Sequence, residues 1–195
     1  MTPEKKQILE EKKQKLKCEI AFKNFEQSSI LPFIEILEEV KKLEIEYEIT
    51  EICYIKNEWK DMIQKVFEKT PFINYHLSKI SISNDNPLIE KLLDLYPNTN
   101  PIRYVPNLPV VAKYESDNSK VLKSLIKNNL LTDQHVYLYY FQYAFLLKIN
   151  LSALAEKAIE ELFNFFLGDA VIFPEDYRWI IAHSLEEEWQ FGFKD

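Results

Sequence analysis

The chain has 195 residues, is 47% apolar and 28% charged, and carries 31 acids against 24 bases for a formal net charge of −7. This is the make-up of a folded domain able to bury a sizeable core, and it excludes a disordered chain. With only two glycines, two cysteines, three histidines and two arginines, Arg103 and Arg178, the sequence cannot form a Gly-rich phosphate loop or a Gly-x-Ser-x-Gly elbow, and it has no metal-ligand spacing.

In chain order, residues 1–17 hold six lysines and three glutamates and read as a solvated helix or a frayed terminus. Residues 17–23 alternate Cys18, Ile20 and Phe22 with polar neighbours, which predicts a strand. Ser28 and Ser29 supply an N-cap, Pro32 falls in the tolerant first turn, and Ile30, Phe33, Ile34, Leu37 and Val40 recur at helical spacing. From Glu44 to Ile55 the period becomes two. Ile45, Tyr47, Ile49 and Cys53 form one face, and Glu44, Glu46, Glu48 and Thr50 form a wet, acidic one, as expected of an antiparallel sheet open to solvent.

Asn57 caps a second helix with a stripe of Trp59, Met62, Ile63, Val66 and Phe67, stopped at Thr70 and Pro71. Ile80 and Ile82 suggest a short strand. Asn86 followed by Pro87 opens a helix through Leu88, Ile89, Leu92 and Leu93. Four prolines and several asparagines between 96 and 109 predict a surface loop. Residues 110–114 read as a strand, and Asp117 or Ser119 caps a helix through Val121, Leu122, Leu125 and Ile126.

Residues 135–149 are the most apolar segment, with Tyr137, Tyr139, Phe141, Tyr143, Phe145 and Leu147 alternating against Val136, Leu138, Tyr140, Ala144 and Leu146. Both faces being apolar, the run predicts a central strand, bent into two. A helix over 151–166 ends at Gly168. Strands at 170–173, 177–183 and 189–193 close the chain, joined by acidic turns. The expected fold is α+β: a mixed, largely antiparallel sheet with amphipathic helices packed on it and a C-terminal β-meander. It forms one domain over 1–195 with a subdomain seam in the Pro/Asn-rich loop 96–109.

Charge is uneven along the chain. Residues 26–51 hold eight acids and two bases, net −6, and residues 156–195 hold ten acids and three bases, net −7. Two acidic regions raise a negative potential that steers a basic partner and repels nucleic acid. The candidate contact residues are Glu44, Glu46 and Glu48 on the first acidic strand, Glu175 and Asp176 in one turn, and Glu186, Glu187 and Glu188 in the next. Trp189 joins them, because an aromatic anchor beside charge is what protein interfaces favour. The alternative reading is a metal-dependent hydrolase or nuclease using scattered carboxylates with His135 or His183, a role that requires convergence in space.

No cofactor and no metal are expected, nor is a nucleic-acid or membrane partner. No apolar run approaches the roughly 18 residues of a membrane span, and the N-terminus lacks a signal-peptide core. Both points suggest a cytoplasmic protein with Cys18 and Cys53 reduced.

From Gly168 the sequence runs Gly-Asp-Ala-Val-Ile-Phe-Pro-Glu-Asp-Tyr-Arg-Trp-Ile-Ile-Ala-His-Ser-Leu-Glu-Glu-Glu-Trp-Gln-Phe-Gly-Phe. An apolar strand, an acidic turn, Trp with aliphatics, a second acidic turn and an aromatic-Gly ending follow one another. This pattern resembles the closing strands of small bacterial immunity-type α+β proteins. The resemblance implies a cytoplasmic inhibitor that binds a cognate toxin, with no chemistry of its own and no site residues to carry over.

Overall fold

The computed structural model describes residues 2–52, 56–70, 81–82, 86–100, 104, 106–108, 110–113, 118–143, 145–157, 162–163 and 168–194. In chain order these form α1 (Pro3–Phe25), a π-turn (Glu26–Ile30), α2 (Leu31–Lys42), β1 (Tyr47–Ile52), a 3-10 turn (Asn57–Trp59), α3 (Lys60–Glu68) and β2 (Ser81–Ile82). There follow α4 (Pro87–Leu95), β3 (Val110–Lys113), α5 (Asn118–Asn128), β4 (His135–Tyr140), β5 (Phe145–Asn150) and α6 (Leu151–Glu156). Three strands, β6 (Ala170–Pro174), β7 (Trp179–His183) and β8 (Glu188–Phe193), come last. The fold is α+β. One eight-stranded sheet has the order β2-β1-β5-β4-β6-β7-β8-β3; β1 and β2 pair in parallel, and every other pair is antiparallel.

The apolar run at 135–150 explains the layering. It forms the β4–β5 hairpin near the sheet's centre, and a strand apolar on both sides needs cover on both. On the first face, Val136, Leu138, Tyr140, Phe145, Leu147, Ile172 and Ile181 meet Phe33 and Leu37 of α2, Ile63 and Phe67 of α3, and Leu122 of α5. Phe33 stacks on Phe145 with ring centroids 3.9 Å apart, and truncating so buried a ring costs roughly 3–5 kcal/mol. On the second face, Tyr137, Tyr139, Leu146, Val171, Phe173 and Ile180 are covered by Ile89 and Leu92 of α4, with Tyr96 and Tyr104. Gly168 has φ +76, the left-handed conformation a glycine takes at little cost.

Several expectations are corrected. Residues 17–23 are helical, because Cys18, Phe22 and Phe25 form a helical stripe as well as a partial alternation, and Phe22 and Phe25 close on Trp59. Ser29 is buried inside a turn continuous with α2. The alternation of β1 breaks at a register shift between Ile49 and Glu51. There the Thr50 hydroxyl donates to the Leu146 carbonyl at 3.1 Å, and Glu51 is buried. The face expected to be open is covered in part by α4. The 96–109 stretch is not wholly superficial, since Tyr96 and Tyr104 are buried. Cys53, Asp117 and most of 158–167 lie outside the described residues. Among the described residues, no helix is long and apolar enough to cross a membrane.

Candidate functional site

Strand register sorts the candidate residues into two groups. Tyr47 lies opposite Ile149, His135 opposite Asn150, Val136 opposite Pro174 and Trp179 opposite Phe193, so these positions mark one end of the sheet. Glu44, Glu46 and Glu48 enter the sheet at that end, and Glu175 and Asp176 turn there between β6 and β7. Glu186 and Glu187 belong to the β7–β8 turn at the opposite end, where Glu188 opens β8. The two acidic stretches, more than 120 positions apart in sequence, thus share an edge that neither defines alone.

At this edge all five carboxylates are exposed. Glu44 has φ +53 just past α2, and its carbonyl accepts from Lys157 Nζ at 3.0 Å. Glu48 stands opposite Lys148 in the β1–β5 register, and Lys148 stands opposite Tyr137. Lys148 Nζ is 4.0 Å from Glu175 Oε2 and 5.9 Å from the Tyr137 ring centre. Asp176 pairs with Arg178. Gln134, His135, Lys148, Glu175 and Asp176 line a shallow polar hollow of about 450 Å³.

Electrostatics registers the convergence. The Tyr137 hydroxyl is held above its ordinary pKa first by burial and then by Glu175, Glu51 and Glu48, one carboxylate from the β6–β7 turn and two from β1. Beneath them Glu51 is 4% exposed and one of its oxygens has no hydrogen-bond partner. Burial pushes its carboxyl up, the Leu88 backbone donor pulls it down, and Glu90 adds a smaller upward push. Lys91 sits 4.4 Å over the Tyr177 ring.

Trp189 requires a correction. It is fully buried, and its Nε1 donates to Asn118 Oδ1 at 2.9 Å while Asn118 Nδ2 donates to the Phe163 carbonyl at 2.5 Å. It fastens β8 to α5 and cannot anchor a partner. The histidines of the alternative reading do not meet, since β4 separates their ends of the sheet by about 17 Å. His135 is exposed on the polar hollow. His183 is buried between Phe163 and Trp189, with ring centroids 5.6 and 4.8 Å away. Among the described residues no group of three His, Cys, Asp or Glu side chains could hold a metal ion.

Sequence reasoning missed Lys148 and Glu51. Lys148 had a signal, being the single lysine in an otherwise apolar run. Glu51 had none, because its burial follows from the register shift. No family model, curated protein or solved structure matches the chain.

Proposed function

We propose that this chain is a non-enzymatic, cytoplasmic inhibitor of the bacterial immunity type, which neutralises a basic toxin domain by covering it with the edge that carries Glu44, Glu46, Glu48, Glu175 and Asp176. The observation that carries the reading is the gathering of five exposed carboxylates from two distant stretches at one end of the sheet. In a chain of net charge −7, such an edge draws in a cationic surface and orients it before contact. Lys148 and Arg178 among the acids give the edge a pattern of signs, which selects among basic partners.

The test mixes the full chain with candidate basic toxin domains. A stable complex is expected at low salt, with association slowed by added salt. Reversing Glu46→Lys and Glu48→Lys together is expected to slow association roughly tenfold and leave dissociation nearly unchanged. The same reversal at Glu186 and Glu187, on the far end, serves as control and is expected to matter less. Absence of a complex at low salt, or an association rate indifferent to Glu46 and Glu48, overturns the reading.

A further inference from the structure

Among the described residues, helix α1 is held to the body along one side. Phe22 and Phe25 pack on Trp59 with ring centroids 5.9 and 5.2 Å away, and the Cys18 thiol lies 3.5 Å from a Glu58 carboxylate oxygen. At about 100° per residue, Leu9, Leu16 and Ile20 fall on the side facing away from those contacts. They are 58%, 56% and 53% exposed. Residues 2–17 are exposed throughout.

Six of the helix's seven lysines are placed around this stripe, and Lys15 lies off it. Lys5, Lys12 and Lys23 flank it on one side and Lys6, Lys13 and Lys17 on the other, each within about 80° of its centre. Glu4, Glu10 and Glu11 turn away, and Glu19 alone of the helix's acids borders it. With seven lysines and four glutamates α1 is net +3, while the rest of the chain is net −10.

We propose that α1 lies along an anionic lipid surface, with Leu9, Leu16 and Ile20 entering the headgroup boundary and the flanking lysines meeting lipid phosphates. Each feature has a use there. The aliphatics bury in the boundary, the lysines extend from its margins to the headgroups, and a helix about 34 Å long lies flat without spanning. Pairing with the same stripe of a second copy would set six lysines against six. A nucleic acid would use the lysines and leave the aliphatics wet, against a body whose net −10 repels it. This inference stands apart from the toxin-binding reading.

Flotation of the full chain with vesicles tests it, using phosphatidylcholine alone and phosphatidylcholine with about one third phosphatidylglycerol. Recovery is expected with the anionic vesicles only, falling roughly tenfold as salt rises from about 50 to about 500 mM. Leu16→Glu with Ile20→Glu is expected to lower recovery roughly tenfold without moving the melting temperature. If that pair disturbs folding, Lys12→Gln with Lys13→Gln, at positions exposed in α1, gives the same reading by an expected drop. No recovery on anionic vesicles, equal recovery on both kinds, or no drop in the folded variants overturns the proposal. So does a doubling of mass in lipid-free solution that these substitutions abolish, which would assign the stripe to a second copy.

Discussion

His183 is 2% exposed, and neither of its ring nitrogens has a hydrogen-bond partner. Alternation with Trp179 and Ile181 turns it toward the first face of the sheet, where Phe163 and Trp189 enclose it. Burial disfavours the imidazolium and lowers the pKa from 6.5 to about 4. The unfolded chain therefore binds the proton more readily, and stability falls as pH drops from about 6.5 toward about 4, by on the order of 1.4 kcal/mol per pH unit. Glu51 acts in the opposite sense, because a raised carboxyl pKa favours folding at low pH and loses that contribution as pH rises. Comparison with His183→Leu isolates the histidine. The stability difference between wild type and variant, from urea titrations, is expected to be flat above about pH 6.5 and to shift steadily in the variant's favour below it. A parallel pH profile would mean that the imidazole finds a partner on protonation. At this scale the sequence discloses which way a side chain points and conceals what it meets: alternation turns His183 and Trp189 inward, but Asn118, the partner of Trp189, is 71 positions away.

Helix α4 shows how an element is fixed by bonds that no local pattern announces. Its apolar stripe of Ile89 and Leu92 is read directly from helical spacing, and Pro87 suits the first turn. What seats it is a series of tyrosines. Tyr104 donates to the Tyr96 carbonyl at 2.9 Å, Tyr96 to the Tyr177 carbonyl at 2.9 Å, and Tyr177 to the Leu88 carbonyl at 3.1 Å. Tyr177 itself has φ +57, held at the turn by its amide donating to Pro174 at 3.0 Å. Tyr96→Phe leaves a buried carbonyl without its donor and is expected to cost about 1–3 kcal/mol. Hydrogen exchange is expected to place the loss in α4 amides first, with β4 and β5 retaining protection. Uniform loss across the sheet would show that α4 and the strands open as one unit. The same contrast explains which elements were legible. α2, α3, α4, α5 and the last three strands carry one clear period each. Residues 17–23 carry two, and only Trp59, a distant side chain, decides for helix. The pairing of β1 with β5 is likewise absent from any local window, and with it the meeting of Glu48 with Lys148.

At the scale of the whole molecule, charge and stability are carried by different parts. The core lies on the two faces of one sheet, whereas residues 2–17 are exposed throughout and the hydrogen bond of Gln7 to Glu11 is internal to the helix. Removing residues 1–15 deletes five lysines and three glutamates and leaves a chain of net −9. Among the described residues it removes no buried side chain, so the unfolding free energy is expected to stay within about 0.5 kcal/mol of the full chain. Urea unfolding checks this, and a larger loss would mean that the helix's first turns brace the body. The same truncation separates the two roles proposed for the molecule. Loss of Leu9 and of five lysines should abolish recovery on anionic vesicles. Capture of a basic partner by the carboxylate edge should persist and associate slightly faster, because the molecule's overall field becomes more negative while the edge itself is unchanged. A truncated chain that loses both activities would place the partner's contact on α1 instead of the sheet's end.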